Sequence, residues 1–464
     1  MSKVENPCGS SSPETLNSIR TGLFVRTLAL AKLALSAKRD LFSPDRMRDL
    51  EVDPELRSQI EAQAKDISRE LGTLKGSVMK VGQLLSVFGE HFLPPQVNSV
   101  LKLLQADSPS LEWSCIEHHV KKELGERFKD LEIEPKAFAA ASIGQVHRAK
   151  IKTTGETIVL KIQYPEVERA IENDLRALKT ILLFAPGAFK GERMNQLLQE
   201  VEEMLARETD YRIEADNYTR VRNELMQDAR YLVPRVHEAF STKRVLALDY
   251  MTGERIDSAT IKSLPQDRKN QLGQALLDLY LRELFCFGRV QTDSHIGNFL
   301  VSVSSAPHEK PDQIILLDFG AIREFSTDFL SAYAGLVRAT FAEDRLAVVE
   351  KGTELGFLKS CDSEDVHREF YEFCRLVVEP FGHERECYCW KNNDLPKRLA
   401  DQLNRVIQAR EFRPPPREAL FLDRKSTGLF CLLSKLEAKT QSRELVEKAI
   451  NFRLSRACER STAE

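Results

Sequence analysis

The sequence predicts an α+β chain of two lobes, and three observations predict it. Short alternating runs bounded by turn residues gather between residues 121 and 251. Helical periodicity dominates from residue 252 to residue 464. At 464 residues the chain is long enough for one large two-lobed unit. A strand-rich part followed by a helix-rich part gives two lobes with a cleft between them. The expected segments are 1–54, a tail with a candidate surface helix; 55–120, a helical extension; 121–251, the sheet-bearing lobe; and 252–464, the helical lobe.

Composition sets the outer limits. Hydrophobic residues make up 42% and charged residues 30%, the mixture of a soluble globular chain. Lys plus Arg is 67 against 70 Asp plus Glu, for a net charge of −3, so no basic field points to nucleic acid. The nine cysteines are scattered. Cys387 and Cys389 are close, but no second Cys or His pair stands at zinc-site spacing, and the thiols read as reduced in a cytosolic setting.

Taken in order, residues 1–20 are polar and read as a loose tail. Residues 21–38 (TGLFVRTLALAKLALSAK) are apolar but interrupted by Arg26 and Lys32. They fit neither a membrane span of about 18 apolar residues nor a signal peptide. They fit either a basic amphipathic helix on a membrane surface or a helix packed on the body of the protein. From Leu56 to Leu85 apolar residues recur at steps of three and four, the mark of a helix, with Gly72 and Gly76 as breaks and Pro94-Pro95 as the stop. Residues 112–124 form another helical stretch. Residues 144–151 and 157–163 alternate, and Thr154-Gly155 between them signals a β-hairpin. Helix is expected over 166–225, interrupted at Pro186-Gly187. Two strand-like pieces lie within 233–251, one hairpin near 298–318, and helix elsewhere to the end.

The chemistry lies in residues spread across this frame. Lys161 stands in the strand IVLKIQ, where Val159, Leu160 and Ile162 are all apolar. A strand lysine is ordinarily a solvated edge residue, but one so surrounded needs a partner, since a buried unpaired charge is costly. A triphosphate and a carboxylate supply one. Glu208 and Asp210, in the charged run RETDYRIEADN, are the first candidates for that carboxylate, and Glu202 and Glu203 are also near enough. In QTDSHIGNF, Asp293 and Asn298 have the D-x-x-x-x-N spacing of a kinase catalytic loop: the carboxylate orients an attacking hydroxyl or water, and the amide oxygen holds a metal ion. In IILLDFG, Asp318 ends an apolar strand, where it is placed to bind Mg²⁺. Each motif alone is weak. Their common order, Lys161, an acid, Asp293, Asn298 and Asp318, is that of a protein kinase and implies ATP and Mg²⁺ converging on one cleft.

Other features depart from ordinary protein kinases. Ala139, Ala140, Ala141 and Ser142 stand where a glycine-rich nucleotide loop belongs, with only Gly144 remaining. Gln291-Thr292 replaces His-Arg before the aspartate, and no A-P-E follows Asp318. Lys80 and Gln83 lie on one face of the helical extension, away from its apolar stripe.

With KVGQ (80–83), FAAASIGQVH (138–147), VLKIQYP (159–165), ETDYRIEA (208–215), QTDSHIGNF (291–299), LLDFGAIREF (316–325) and the late segment 413–438, the chain resembles the UbiB, or aarF-domain-containing, atypical kinases that support coenzyme Q biosynthesis. The likeness covers roughly residues 55–450. It implies a protein-kinase-like fold with an N-terminal extension covering the peptide site. It implies that Lys80 and Gln83 act in catalysis near Glu208 and Asp210, and that residues 139–142 form the nucleotide loop. Lys161 would meet phosphates, Asp293 would be catalytic, and Asn298 and Asp318 would hold Mg²⁺. It further implies an ATPase or small-molecule kinase, or a nucleotide- and lipid-binding scaffold without catalysis, rather than a protein kinase in trans. The implied partners are a quinone-precursor lipid, ubiquinone-biosynthesis enzymes and a peripheral membrane. The implied place is cytoplasmic or on the inner membrane, facing the matrix in a eukaryote. The family's D-P-x-P-G-N loop has lost both prolines here, to Ser294 and Ile296.

Overall fold

Alternation of apolar and polar residues makes 144–163 the centre of a sheet. The computed structural model describes residues 111–141, 143–173, 199, 202–307, 309–382, 387–391, 393–409 and 416–461. The expected tail, residues 21–38, the helical run 56–85 with Lys80 and Gln83, and Ser142 lie outside them. The strands are β1 Leu131–Ile133, β2 Ala139–Ala141, β3 Gly144–Ile151, β4 Thr157–Gln163, β5 Tyr231–Leu232, β6 Val245–Asp249, β7 Glu254–Arg255, β8 Arg289–Gln291, β9 Phe299–Ser302, β10 Gln313–Leu316, β11 Ile322–Glu324, β12 Tyr388–Cys389 and β13 Lys439–Thr440. The principal helices are α1 Trp113–Leu124, α2 Tyr211–Leu225, α3 Gln266–Leu281, α4 Thr327–Phe341, α5 Arg345–Glu354, α6 Glu364–Val378, α7 Leu395–Ala409, α8 Arg417–Lys435 and α9 Arg443–Ser461. The chain divides into two units, Met1–Asp216 with Arg235–Tyr250, and Asn217–Pro234 with Met251–Glu464. The sheet-bearing and helix-rich parts give an α+β, protein-kinase-like fold.

In the first unit β1, β3, β4 and β6 form an antiparallel sheet, and β2 also pairs with β3. The β3–β4 hairpin aligns Val146 with Lys161 and His147 with Leu160. Because side chains alternate across a strand, Ile158, Leu160 and Ile162 share one face with Gln145 and His147, and that face is fully buried. Lys161 and Val146 point the other way.

Gln145 and His147 are the polar part of this buried face. Gln145 accepts from the Leu111 amide at 2.7 Å and donates to the Leu111 carbonyl at 3.0 Å. His147 Nδ1 lies 2.7 Å from the Glu134 carbonyl, and its Nε2 lies 2.9 Å from Gln145 Nε2. A neutral imidazole protonated at Nδ1 satisfies every one of these contacts. The Gln-x-His pair thus ties the chain just before α1 to the sheet.

In the second unit β5, β10, β9 and β7 form a sheet, β10 running parallel to β5 and antiparallel to β9. The expected hairpin near 298–318 is β9–β10. Two short antiparallel pairs, β8–β11 and β12–β13, also interrupt the helical part. Strands of two or three residues are too short to show a period of two, which is why the sequence did not signal them. Around α4, α5 and α6 a core of Leu336, Val348, Leu358, Val366 and Phe370 closes.

One helical span required correction. The helix expected through 225 is broken at Thr209-Asp210, between a helix over 202–208 and α2.

Candidate active site

In the first unit Lys161 meets Glu214 and not the acids first singled out. Its ammonium donates to both carboxylate oxygens, at 2.9 and 2.8 Å. The side chains are 20% and 6% exposed, so water screens the pair little. The ammonium also lies 5.2 Å from the ring centroid of Tyr211. Glu208 instead ends its helix, and Asp210 occupies the break after it. Asp210 accepts from the Arg212 amide at 3.0 Å and from its guanidinium at 2.9 and 2.6 Å, capping the first turn of α2. The Arg212 guanidinium holds the Asp210 carboxyl below the usual carboxylate range. The signal for Glu214 was in the sequence: Tyr211, Glu214 and Tyr218 recur at steps of three and four and are all buried. An acid on the buried stripe of a helix needs a cation.

Ala139–Ala141 is strand β2 and not a loop, which corrects the reading of that segment. Ala139 pairs with Val146, Ala140 with Gln145 and Ala141 with Gly144. Ala139, Val146, Lys161 and Leu246 therefore make one row across the sheet. Gly144 is required by close approach: an added Cβ would lie 2.2 Å from the Ile162 carbonyl oxygen.

In the second unit Asp293, Asn298 and Asp318 are held by a set of loop bonds. The Asn298 amide donates to the Asp293 carbonyl at 3.1 Å and to its carboxylate at 3.4 Å. Spending its N–H donors on Asp293 turns the amide oxygen away, toward other ligands. The Leu317 amide donates to the Asn298 carbonyl at 3.0 Å, fastening the DFG segment to this loop. Asp318 Oδ1 accepts from the Gly320 amide at 2.8 Å. Phe319 is 2% exposed and meets Tyr218 edge-on at 4.7 Å between centroids. Tyr218 donates its hydroxyl to the Leu317 carbonyl, and Asn217 donates to the Phe319 carbonyl at 3.0 Å.

Two residues of α8 complete this picture, and sequence reasoning missed both. Arg424 donates to the Asp293 carboxylate at 3.0 Å. Gly428 packs on Ser294, whose Cβ would lie 2.5 Å from a Cβ at 428. Ser294 is 7% exposed. The loop that lacks its family prolines is thus braced by a helix more than 120 residues away, and no local pattern signals such a contact.

Asn298 and Asp318 fit a magnesium ion. Both offer hard oxygen atoms, both line one small cavity, and among the described residues no protein bond occupies Asp318 Oδ2. Among the described residues no group of three or more His, Cys, Asp or Glu side chains forms a complete cage. That suits Mg²⁺, which takes one or two carboxylates and completes its shell with phosphate oxygens and water. Among the described residues no helix is long and apolar enough to cross a membrane.

Comparison with known proteins gives a consistent placement. The ABC1 atypical kinase-like domain matches residues 103–352. The atypical kinase COQ8B, mitochondrial, of Rattus norvegicus is 34% identical over 390 residues, covering 83% of this chain and 72% of the rat protein. The atypical kinase COQ8, mitochondrial, of Saccharomyces cerevisiae is 28% identical over 391 residues, covering 84% and 76%. The solved complex of Rv3197 with erythromycin from Mycobacterium tuberculosis shares the fold at a TM-score of 0.58 and 24% identity, covering 85% of this chain and 97% of that one. The chain belongs to the ABC1 atypical kinase-like family, the UbiB or aarF-domain-containing group.

Proposed function

We propose that this chain is an ATP- and Mg²⁺-dependent atypical kinase or ATPase that supports ubiquinone biosynthesis and does not phosphorylate proteins in trans. The Lys161–Glu214 ion pair carries the reading, because it presents the lysine in the form a kinase uses to hold nucleotide phosphates. Asn298 and Asp318 hold Mg²⁺, which offsets charge on the phosphates. Asp293 orients the attacking hydroxyl or water, and Arg424 holds that carboxylate in place. Residues 139–142 line the nucleotide, Lys80 and Gln83 act in catalysis, and Glu208 and Asp210 help bind the cofactor, as the family resemblance implies. Its place on this reading is the matrix face of the inner membrane, with a quinone-precursor lipid and biosynthetic enzymes as partners; the relatives named mitochondrial support the mitochondrion.

The test is phosphate release from ATP with and without Mg²⁺, in the wild type and in Asp318→Asn. Metal-dependent release that the variant loses is the expected result, and equal rates overturn it. A second reading, a nucleotide-binding scaffold without turnover, draws on the alanine strand that stands in place of a glycine-rich loop. Full restoration of ubiquinone in a deletion strain by Asp318→Asn would favour it.

A further inference from the structure

We propose that the buried Glu283–Lys425 ion pair, acting through Gln291, positions Asp318 for its metal ion. This rests on the Mg²⁺-nucleotide reading above and extends it to residues outside the kinase motif set. Glu283 lies in the π-helical turn Arg282–Phe287 that follows α3, and π-turns inside helices mark functional positions more often than chance. Lys425 comes from α8. Their charged atoms stand 2.6 Å apart, with side chains 9% and 5% exposed.

An ion pair so deep is a poor source of stability. Removing two charges from water costs about what their attraction returns, and apolar replacements of similar volume often do as well. Its placement gives it another use. The Glu283 carboxylate faces the backbone N–H of Gln291, and both residues line one small cavity. Gln291 in turn donates its side-chain amide to the Asp318 carbonyl at 2.7 Å. Gln291 is the residue that replaces the usual histidine two positions before the catalytic aspartate, and it is 5% exposed. The chain of contacts therefore runs from Lys425 through Glu283 and Gln291 to the backbone of the metal-binding residue.

These four residues and Asn298 line a cavity of about 10 Å³. That is room for about one water molecule. Gln291 Oε1 is buried without a hydrogen-bond partner, so the cavity wall offers an acceptor to such a water. Outer partners of this kind fix the orientation of a metal ligand and the charge it feels.

The test uses the full chain and calorimetric titration with ATP, first in chelator and then across a Mg²⁺ series. The double variant Glu283→Gln/Lys425→Met removes both charges without stranding either, and a thermal unfolding scan checks that it folds. The Mg²⁺ concentration for half-maximal enhancement of ATP binding is expected to rise about tenfold, as loss of such outer partners does elsewhere. ATP affinity in chelator is expected to stay within about twofold of wild type, a split that general loosening of the fold would not produce. A folded double variant with wild-type Mg²⁺ dependence overturns the positioning role and leaves the nucleotide reading standing. A wild-type chain that binds no ATP at any Mg²⁺ concentration overturns both.

Discussion

At the scale of single residues, the Lys161–Glu214 pair fixes how the lysine is presented. Lys161 announced itself by standing in an apolar strand, because a charge there must be compensated. The choice among nearby acids needed the helical phase of α2, which begins only after the break at Thr209-Asp210. That break rotates Glu208 and Asp210 off the stripe that carries Glu214. Glu214→Gln keeps the shape but weakens two charge-assisted bonds. It is expected to cost about 1–3 kcal/mol of stability, read as a lower urea midpoint, and to reduce ATP affinity about tenfold or more by titration. Asp210→Asn, which loosens the Arg212 contact at the start of α2, is expected to lower ATP affinity less than Glu214→Gln does. If the two variants behave alike, the assignment of Glu214 fails.

At the scale of elements, two segments decide how the site is held. Ala139–Ala141 pairs with β3 as a strand, so its backbone is fixed by ladder bonds. Ala140→Gly raises backbone freedom at a cost of about 0.5–1 kcal/mol, and it is expected to alter nucleotide selectivity or raise self-phosphorylation. Radiolabel incorporation and competition between ATP and ADP check this, and unchanged values for both count against it. The second segment is α8, which lies on Ser294 through Gly428. Gly428→Val drives a side chain into the loop and is expected to cost about 1–3 kcal/mol while lowering turnover. Adding Ser294→Gly opens space and is expected to recover part of both. The strand hairpins were visible because alternation and the Thr154-Gly155 turn are local signals. The seat of α8 on the loop was not, because a glycine within a helix reads only as a weak position.

At the scale of the whole molecule, stability is expected to fall in acid in two stages. Burial lowers the pKa of His147 and of His119 below the ordinary histidine value of about 6.5. The unfolded chain then binds protons near pH 6.5 that the folded chain refuses, so stability is highest above that pH and declines as pH drops below it. For His147 the cause has a structure: protonating Nε2 sets a donor against the Gln145 amide. His147→Gln is expected to flatten the decline between about pH 6.5 and 5 in thermal scans. A second loss follows below about pH 4, where carboxylates depressed by arginine partners must be protonated. The Arg230 guanidinium, for one, holds Asp228 down at about 2. A decline that keeps its shape in the histidine variant would remove His147 from this account.

Local pattern by itself determined the β3–β4 and β9–β10 hairpins, the lysine strand, the D-x-x-x-x-N and DFG motifs and the family. Those features depend on neighbours within a few residues, where periodicity and turn chemistry act. Tertiary structure alone decided that Glu214 meets Lys161, that Arg424 meets Asp293, and that Lys425 meets Glu283. Such pairings join residues 53, 131 and 142 positions apart. Many acids and bases are available in the sequence at those separations. The burial that makes one pairing necessary exists only once the chain has folded.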